Sequence, residues 1–243
     1  MTSVDANWLN WPNGWWVEHV AETTSTNTDL FDRAQLGAPT HSVIAADFQS
    51  AGRGRLDRTW EAVRGENLLV SLLFRDSLRP QHQFAQIVGL AAVQACQQLA
   101  GVRPSLKWPN DLLIEGRKLS GLLAAAESDF VVVGIGINVN WAPEDAVALS
   151  EFASGTRLDP ADLLRLLLSN IDDIEQLAFE ELHRMYASSL TTIGSAVRVE
   201  RTDHTVLVGV ATAVHDDGRL TVVDEGGKTH LIDTGDIVHL RTK

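Results

Sequence analysis

The sequence predicts an α+β fold, a mixed β-sheet packed with helices and followed by a small all-β unit. Three observations lead there. The 243 residues at 44% apolar content supply one catalytic-sized core and an appendage. Strand-like and helix-like periodicities intermix before residue 190 without the strict βαβ alternation of a doubly wound sheet. Beyond it the texture changes to short alternating apolar runs separated by glycine turns. The expected division is therefore a catalytic domain over 1–190 and a β domain over 191–243.

Each element follows from local pattern. Trp15, Trp16, Val17 and Val20 give a first strand, and Thr24-Ser25-Thr26-Asn27 supplies cap-type residues for a helix that Gly37 should stop. Residues 42–48 and 67–74 read as strands on either side of a glycine-rich stretch. Phe84, Ile87, Val88, Ala91, Ala92, Ala95 and Leu99 recur at helical spacing over 81–100, which places Cys96 in a helix body as a packed core residue. Leu112-Leu113-Ile114 and residues 118–126 flank Glu115-Gly116-Arg117 as a hairpin, and 130–139 is long enough to be a central strand. Asp159-Pro160 opens a helix whose apolar positions run from Leu163 to Leu177. Val197 and Val199, then Val206, Val208 and Val210, then Leu220 and Val222, Leu231, and Ile237 and Leu240 make the C-terminal strands, expected as a closed or nearly closed antiparallel barrel.

Composition excludes several functions. A net charge of −12 disfavours proteins that coat nucleic acid or anionic membranes. No apolar run approaches the roughly 18 residues of a membrane span, and the first dozen residues lack signal-peptide character, so a cytoplasmic location is expected. One cysteine allows neither a disulfide framework nor a cysteine-rich metal site. The eight histidines form no zinc-type pair, so no metal bound by side chains alone is expected. The acidity is uneven: residues 142–190 hold three basic and ten acidic side chains, whereas 49–60 hold three arginines against one aspartate.

Three segments carry chemistry. In Gln49-Ser50-Ala51-Gly52-Arg53-Gly54-Arg55-Leu56-Asp57-Arg58-Thr59-Trp60, glycines permit close backbone approach and arginines supply fixed charge, which suits phosphate or carboxylate. A solvated surface loop has the same composition. It is not a Walker A loop, because Gly-Lys-Ser/Thr is missing. Lys107-Trp108-Pro109-Asn110-Asp111 is either a preorganised polar site or an ordinary turn. Gly134-Ile135-Gly136 lacks the third glycine of a dinucleotide fingerprint and continues as strand, which suggests a surface approached closely by something flat or by a second backbone.

Taken in order, Thr24-Ser25-Thr26-Asn27, the Gln49 to Arg55 run, Lys107-Trp108-Pro109-Asn110-Asp111, Gly116-Arg117-Lys118-Leu119-Ser120-Gly121 and Gly134-Ile135-Gly136-Ile137-Asn138 resemble biotin protein ligases. Asp217-Gly218-Arg219-Leu220 and Gly235-Asp236-Ile237 extend the resemblance to that family's SH3-like C-terminal domain. The resemblance implies a catalytic domain of the class II aminoacyl-tRNA synthetase and biotin–lipoyl ligase type. The implied reaction uses biotin and MgATP to form biotinyl-5′-AMP and pyrophosphate. A lysine of a biotin carboxyl carrier domain, in an acetyl-CoA, acyl-CoA or pyruvate carboxylase, then takes the biotin.

Carried over by motif, Ser25, Thr26 and Gln49 would hold biotin's ureido head, with Asn27, Gly52, Arg53, Gly54, Arg55, Lys118, Gly121, Gly134 and Gly136 completing the biotin site. Arg53, Arg55, Arg58, Trp60, Lys107, Asn110 and Asn138 would bind ATP and the adenylate, with Trp60 near adenine and Mg²⁺ near Asn110. Lys107 would neutralise the α-phosphate, Lys118 would hold biotin's carboxylate, Arg55 would order over the acyl phosphate, and Asp111 would orient or deprotonate the carrier lysine. Asp57 departs from the glycine usual in the family loop. Only about 14 residues precede the first strand, so the DNA-binding domain of many relatives is not expected, nor is operator binding; a monomer or weak homodimer is. A lipoate ligase, a non-catalytic biotin sensor and an unrelated ATP-binding domain are the rival readings.

Overall fold

The computed structural model describes residues 10–55, 58–75, 79–154, 156–200, 205–233 and 236–239. Asp57, Gly235 and Leu240 lie outside the described residues. The strands are β1 (Trp16–Val20), β2 (Ser42–Ala46), β3 (Leu68–Phe74), β4 (Ser105–Lys107), β5 (Asp111–Ile114), β6 (Arg117–Ala126) and β7 (Val131–Ile137), then β8 (Ala196–Glu200), β9 (Val206–Val214), β10 (Leu220–Asp224), β11 (Thr229–Ile232) and β12 (Asp236–His239). The helices are α1 (Thr26–Gln35), α2 (His82–Ala100), α3 (Pro160–Glu175) and α4 (Phe179–Ser189).

The first seven strands form one sheet in the order β1-β2-β3-β7-β6-β5-β4. Only the β1–β2 pair is parallel, so the sheet is mixed and β7 is its central strand, as the long apolar run predicts. Period two in β7 sends Val131, Val133, Ile135 and Ile137 to one face, where they join a core with Ile87 and Val88 of α2 and Leu163 and Leu167 of α3. Val132 faces the other way and packs with Leu30 and Ala34 of α1, Ile44 and Leu73. Gly134 and Gly136 share that second face, and without side chains they leave it open beyond α1. The candidate functional site is in that opening.

Helix ends follow the chain's punctuation. Asp159 caps α3 by accepting from the Ala161 amide at 2.8 Å, with Pro160 in the first turn, a cap worth about 1 kcal/mol. Gly101, at φ 72°, ends α2 in the left-handed conformation. The expected helix is α3, which stops at Glu175, two residues short of Leu177; a further helix that the periodicity did not mark, α4, begins at Phe179. Burial of Leu182 and Tyr186 against the main core gives α4 its own inward stripe. Cys96 is buried in α2 as expected, and burial pushes its thiol up to about 12.

The C-terminal strands form an antiparallel sheet in the order β11-β10-β9-β8-β12. No pairing joins β11 to β12 among the described residues, so by hydrogen bonding the unit is an open sheet rather than a fully closed barrel. Among the described residues no helix is long and apolar enough to cross a membrane.

Candidate active site

Ladder register builds the site floor. Ser71 on β3 and Leu123 on β6 both sit opposite Gly134, and Leu69 and Gly121 both sit opposite Gly136. Residues in register share a face, so these rows lie side by side across three strands. Above them is a cavity of about 230 Å³, walled by the start of α1, the 49–61 loop and the β5–β6 strands.

One end of the cavity is neutral and hydrogen-bonding. The Thr26 amide and hydroxyl both donate to Gln49 Oε1, at 2.7 and 3.0 Å, and Thr26 Oγ1 lies 2.8 Å from Ser71 Oγ. The cap of α1 is therefore not the one the sequence suggests. Ser25 occupies the N-cap position without a side-chain capping bond, and Gln49, reaching across from another segment, satisfies a first-turn amide. This leaves the Ser25 hydroxyl on the cavity wall. Asn27 Nδ2 donates to the Leu123 carbonyl at 3.0 Å, and a Cβ at Gly134 would come within 2.8 Å of that nitrogen.

The other end is cationic. The 49–60 loop folds back on itself, with Gly54 N donating to Arg58 O at 2.7 Å, Trp60 N donating to Gly52 O at 3.0 Å, and Arg53 bridging Thr59. This geometry directs Arg53, Arg55 and Arg58 to the cavity. Gly52 lies behind the lining: a Cβ there would press on the Trp60 carbonyl at 3.2 Å and Gln49 Nε2 at 3.3 Å. The described residues of the loop are therefore an anchored wall, not a solvated strap.

Trp60 lies flat on the glycine floor. A Cβ at Gly136 would be 2.5 Å from its Cε2, and one at Gly121 would be 3.2 Å from its Cζ3. Lys118 Nζ is 5.7 Å from the indole centroid, close enough for a cation–π attraction, and 2.7 Å from Asp111 Oδ1. At Gly136 the flat group expected over these glycines is thus the protein's own Trp60, whereas Gly134 is approached by Asn27, Ser71 and the Leu123 carbonyl. Indole Nε1 is buried with no hydrogen-bond partner among the described residues.

Asn110 donates to the Leu122 carbonyl at 2.7 Å and accepts from Arg55 at 3.4 Å, tying the cationic loop to the sheet. Asn138 is buried at the cavity wall, donating to the Lys118 carbonyl at 3.4 Å, with its own oxygen unpartnered among the described residues. An unpaired buried acceptor beside a cavity is costly unless a ligand donor completes it.

Sixteen of the eighteen sequence-derived site residues line this cavity; Gly52 and Lys107 do not. Lys107 ends β4 opposite Asp111, on the sheet's outermost strand and one strand further from the floor. Sequence reasoning missed Ser71 and Glu61, which also line it. Ser71 is the one hydroxyl in an otherwise apolar strand, Leu68–Phe74, a signal that gains meaning only from the strand's register. Glu61 follows Trp60 with no pattern that singles it out.

Comparisons with known proteins agree with this geometry. Residues 20–140 match the Biotin/lipoate A/B protein ligase family and residues 192–240 match the Biotin protein ligase C terminal domain. The chain is 38% identical to a biotin–[acetyl-CoA-carboxylase] ligase of Mycobacterium tuberculosis, covering 94% of this chain and 91% of that one. It is 32% identical to the bifunctional ligase/repressor BirA of Bacillus subtilis over 84% of this chain and 68% of the relative. The fold superposes on the biotin protein ligase from Aquifex aeolicus in complex with biotin and ATP with a TM-score of 0.76 at 27% identity, covering 93% of this chain and 99% of that one. Both halves of the sequence and the strand order beneath the cavity are thus accounted for together: the chain belongs to the biotin protein ligase family.

Proposed function

We infer that the chain activates biotin with ATP to biotinyl-5′-AMP and then transfers biotin to a lysine of a biotin carboxyl carrier domain. The observation that carries this is one cavity joining a neutral hydrogen-bonding end, at Thr26, Gln49 and Ser71, to a cationic end, at Arg53, Arg55, Arg58 and Lys118. A cyclic urea needs several partners once buried, and an acyl phosphate needs positive charge and exclusion of water.

Biotin's ureido ring would sit against Thr26, Gln49, Ser25 and Ser71, with its chain passing Gly134 and the Trp60 ring toward Lys118. One carboxylate oxygen attacks the α-phosphorus of ATP and pyrophosphate leaves. We place Lys118, not Lys107, beside the reacting carboxylate and α-phosphate, because Lys118 lines the cavity and is steadied by Asp111 at 2.7 Å. Arg53, Arg55 and Arg58 would offset charge gathering on the phosphates, and donors fixed before the reaction act without reorganising. Trp60 is the surface offered to adenine, and the free acceptor of Asn138 faces the nucleotide side.

The oxygens of Asn110 and Glu61 suit Mg²⁺ arriving with ATP, since that ion takes oxygen ligands and keeps much of its shell from phosphate and water. Magnesium would supply charge neutralisation on the leaving pyrophosphate. In the second half-reaction an uncharged carrier amine attacks the acyl carbon, AMP leaves, and the amine proton is lost. An ammonium near pKa 10.4 must first be deprotonated, and Asp111 is the carboxylate positioned to orient it.

The boundary near residue 190, a carrier belonging to an acetyl-CoA, acyl-CoA or pyruvate carboxylase, a cytoplasmic location, and a monomeric or weakly dimeric state complete the proposal. The test is incubation with ATP, Mg²⁺, a carrier domain and either biotin or lipoate. One biotinyl group on one carrier lysine, read by mass spectrometry, is the expected product; lipoylation without biotinylation would sink the reading.

A further inference from the structure

We propose that Gly218, in the C-terminal unit, is a positioning residue for the segment that carries Asn110 and Asp111 into the active site. The inference rests on the ligase reading but concerns residues outside the cavity. Asn110 and Asp111 reach the cavity from the turn joining β4 to β5, and Trp108 is the buried base of that turn. Its backbone amide donates to Thr192 Oγ1 at 2.9 Å, and its indole Nε1 donates to the Gly218 carbonyl, also at 2.9 Å. Tyr186 OH donates to the Pro109 carbonyl at 3.4 Å. The active-site turn is therefore held by α4, by the segment after it, and by the β9–β10 turn of the C-terminal sheet.

That β9–β10 turn is built to present one carbonyl. The His215 amide donates to Arg219 O and the Gly218 amide to His215 O, both at 2.8 Å, and Asp217 Oδ1 accepts from Arg219 N at 3.1 Å. Gly218 has φ 86°, where a side chain is strained, and a Cβ there would lie 3.1 Å from His82 Cδ2. Glycine is thus required twice, by backbone conformation and by the approach of His82 from the start of α2. His183 of α4 lies 3.5 Å from Asp216 Oδ1 on the turn's other side. Wedged between α2 and α4, the Gly218 carbonyl is a fixed acceptor, and it fixes the indole two residues before Asn110. Displacements of about 1 Å at catalytic groups can cost on the order of a hundredfold in rate.

Two variants break the bond from opposite sides. Trp108→Phe removes the donor while keeping an aromatic ring in the core, and Gly218→Ala displaces the acceptor. Each is expected to lower kcat for biotin transfer by at least about threefold while biotin Kd stays within about threefold, because the Thr26, Gln49 and Ser71 end is untouched. The double variant should be no slower than the worse single by more than about twofold, as both remove the same bond. A smaller fall in kcat, a larger change in biotin Kd or multiplicative losses would overturn the proposal. A merely structural role would lower the folded fraction but not kcat per folded molecule. Independently of turnover, the Trp108 indole ¹H–¹⁵N resonance, assigned by its disappearance in Trp108→Phe, should shift in Gly218→Ala; an unshifted resonance also overturns the proposal. Lack of carrier biotinylation by the wild-type chain would instead strike the ligase reading and leave the resonance test standing.

Discussion

Replacing Lys118 by alanine separates what this side chain does for the fold from what it does for the reaction. Its ammonium is 2.7 Å from Asp111, but the lysine side chain is 41% exposed, so solvent screening limits the pair to about 0–1 kcal/mol of stability. Its contact with the Trp60 ring at 5.7 Å adds about 0.5–1 kcal/mol. The total, about 0.5–2 kcal/mol, corresponds to a Tm lowered by about 1–8 °C in a chain of this size. Loss of a charged group aimed at a transition-state oxyanion costs on the order of 10²–10³ in kcat. Isotope exchange between pyrophosphate and ATP at saturating biotin, run beside a thermal melt, measures both. A kcat reduced less than about tenfold with the expected Tm shift would show Lys118 to be a wall residue, and the placement of the reacting atoms beside it would be wrong.

Gly136→Ala puts a methyl 2.5 Å from Trp60, so the ring must leave the floor. At about 1–3 kcal/mol for such overpacking, KM for ATP should rise by about 5- to 150-fold with KM for biotin changed much less, as steady-state kinetics would report. His82 is held below its ordinary pKa of 6.5, chiefly by burial, so the unfolded chain binds more protons than the folded one just below that value. Its contribution to stability is present in full above pH 6.5 and lost as the pH falls below it. Denaturant melts of His82→Gln should accordingly lose less stability between pH 7 and 5.5 than the wild type, and equal losses would exclude His82 as the source. With its thiol pushed up to about 12, Cys96 should resist iodoacetamide at pH 8 in the folded protein and react only after denaturation, as followed by mass spectrometry.

Much of the site was legible in the sequence because its residues come in short dense motifs. Ser25 to Asn27, the arginine–glycine loop and the Gly134-Ile135-Gly136 strand each carry several lining residues within a few positions. Where local pattern left the choice open, the deciding quantity is distance between segments. Lys107 and Lys118 are equally plausible as lysines in motifs, and only the order β7-β6-β5-β4 makes one of them neighbour the floor. Ser71 was hidden because one hydroxyl in an apolar strand means little until the register sets it beside Thr26 at 2.8 Å.

Local order thus belongs to the sequence by itself. Periodicity of two or 3.6, proline and glycine punctuation and the α+β class depend on neighbours a few residues apart, and local sterics and burial of one face are enough to specify them. The arginine clustering that marks an anion site is local in the same way. Tertiary structure decided what depends on partners far along the chain. Gln49 caps a helix 23 residues away, Trp60 lies on two strands, and the Gly218 carbonyl holds an indole 110 residues earlier. Such contacts depend on strand order and on which face each residue takes, and a one-residue change of register would reverse the face without altering any local pattern.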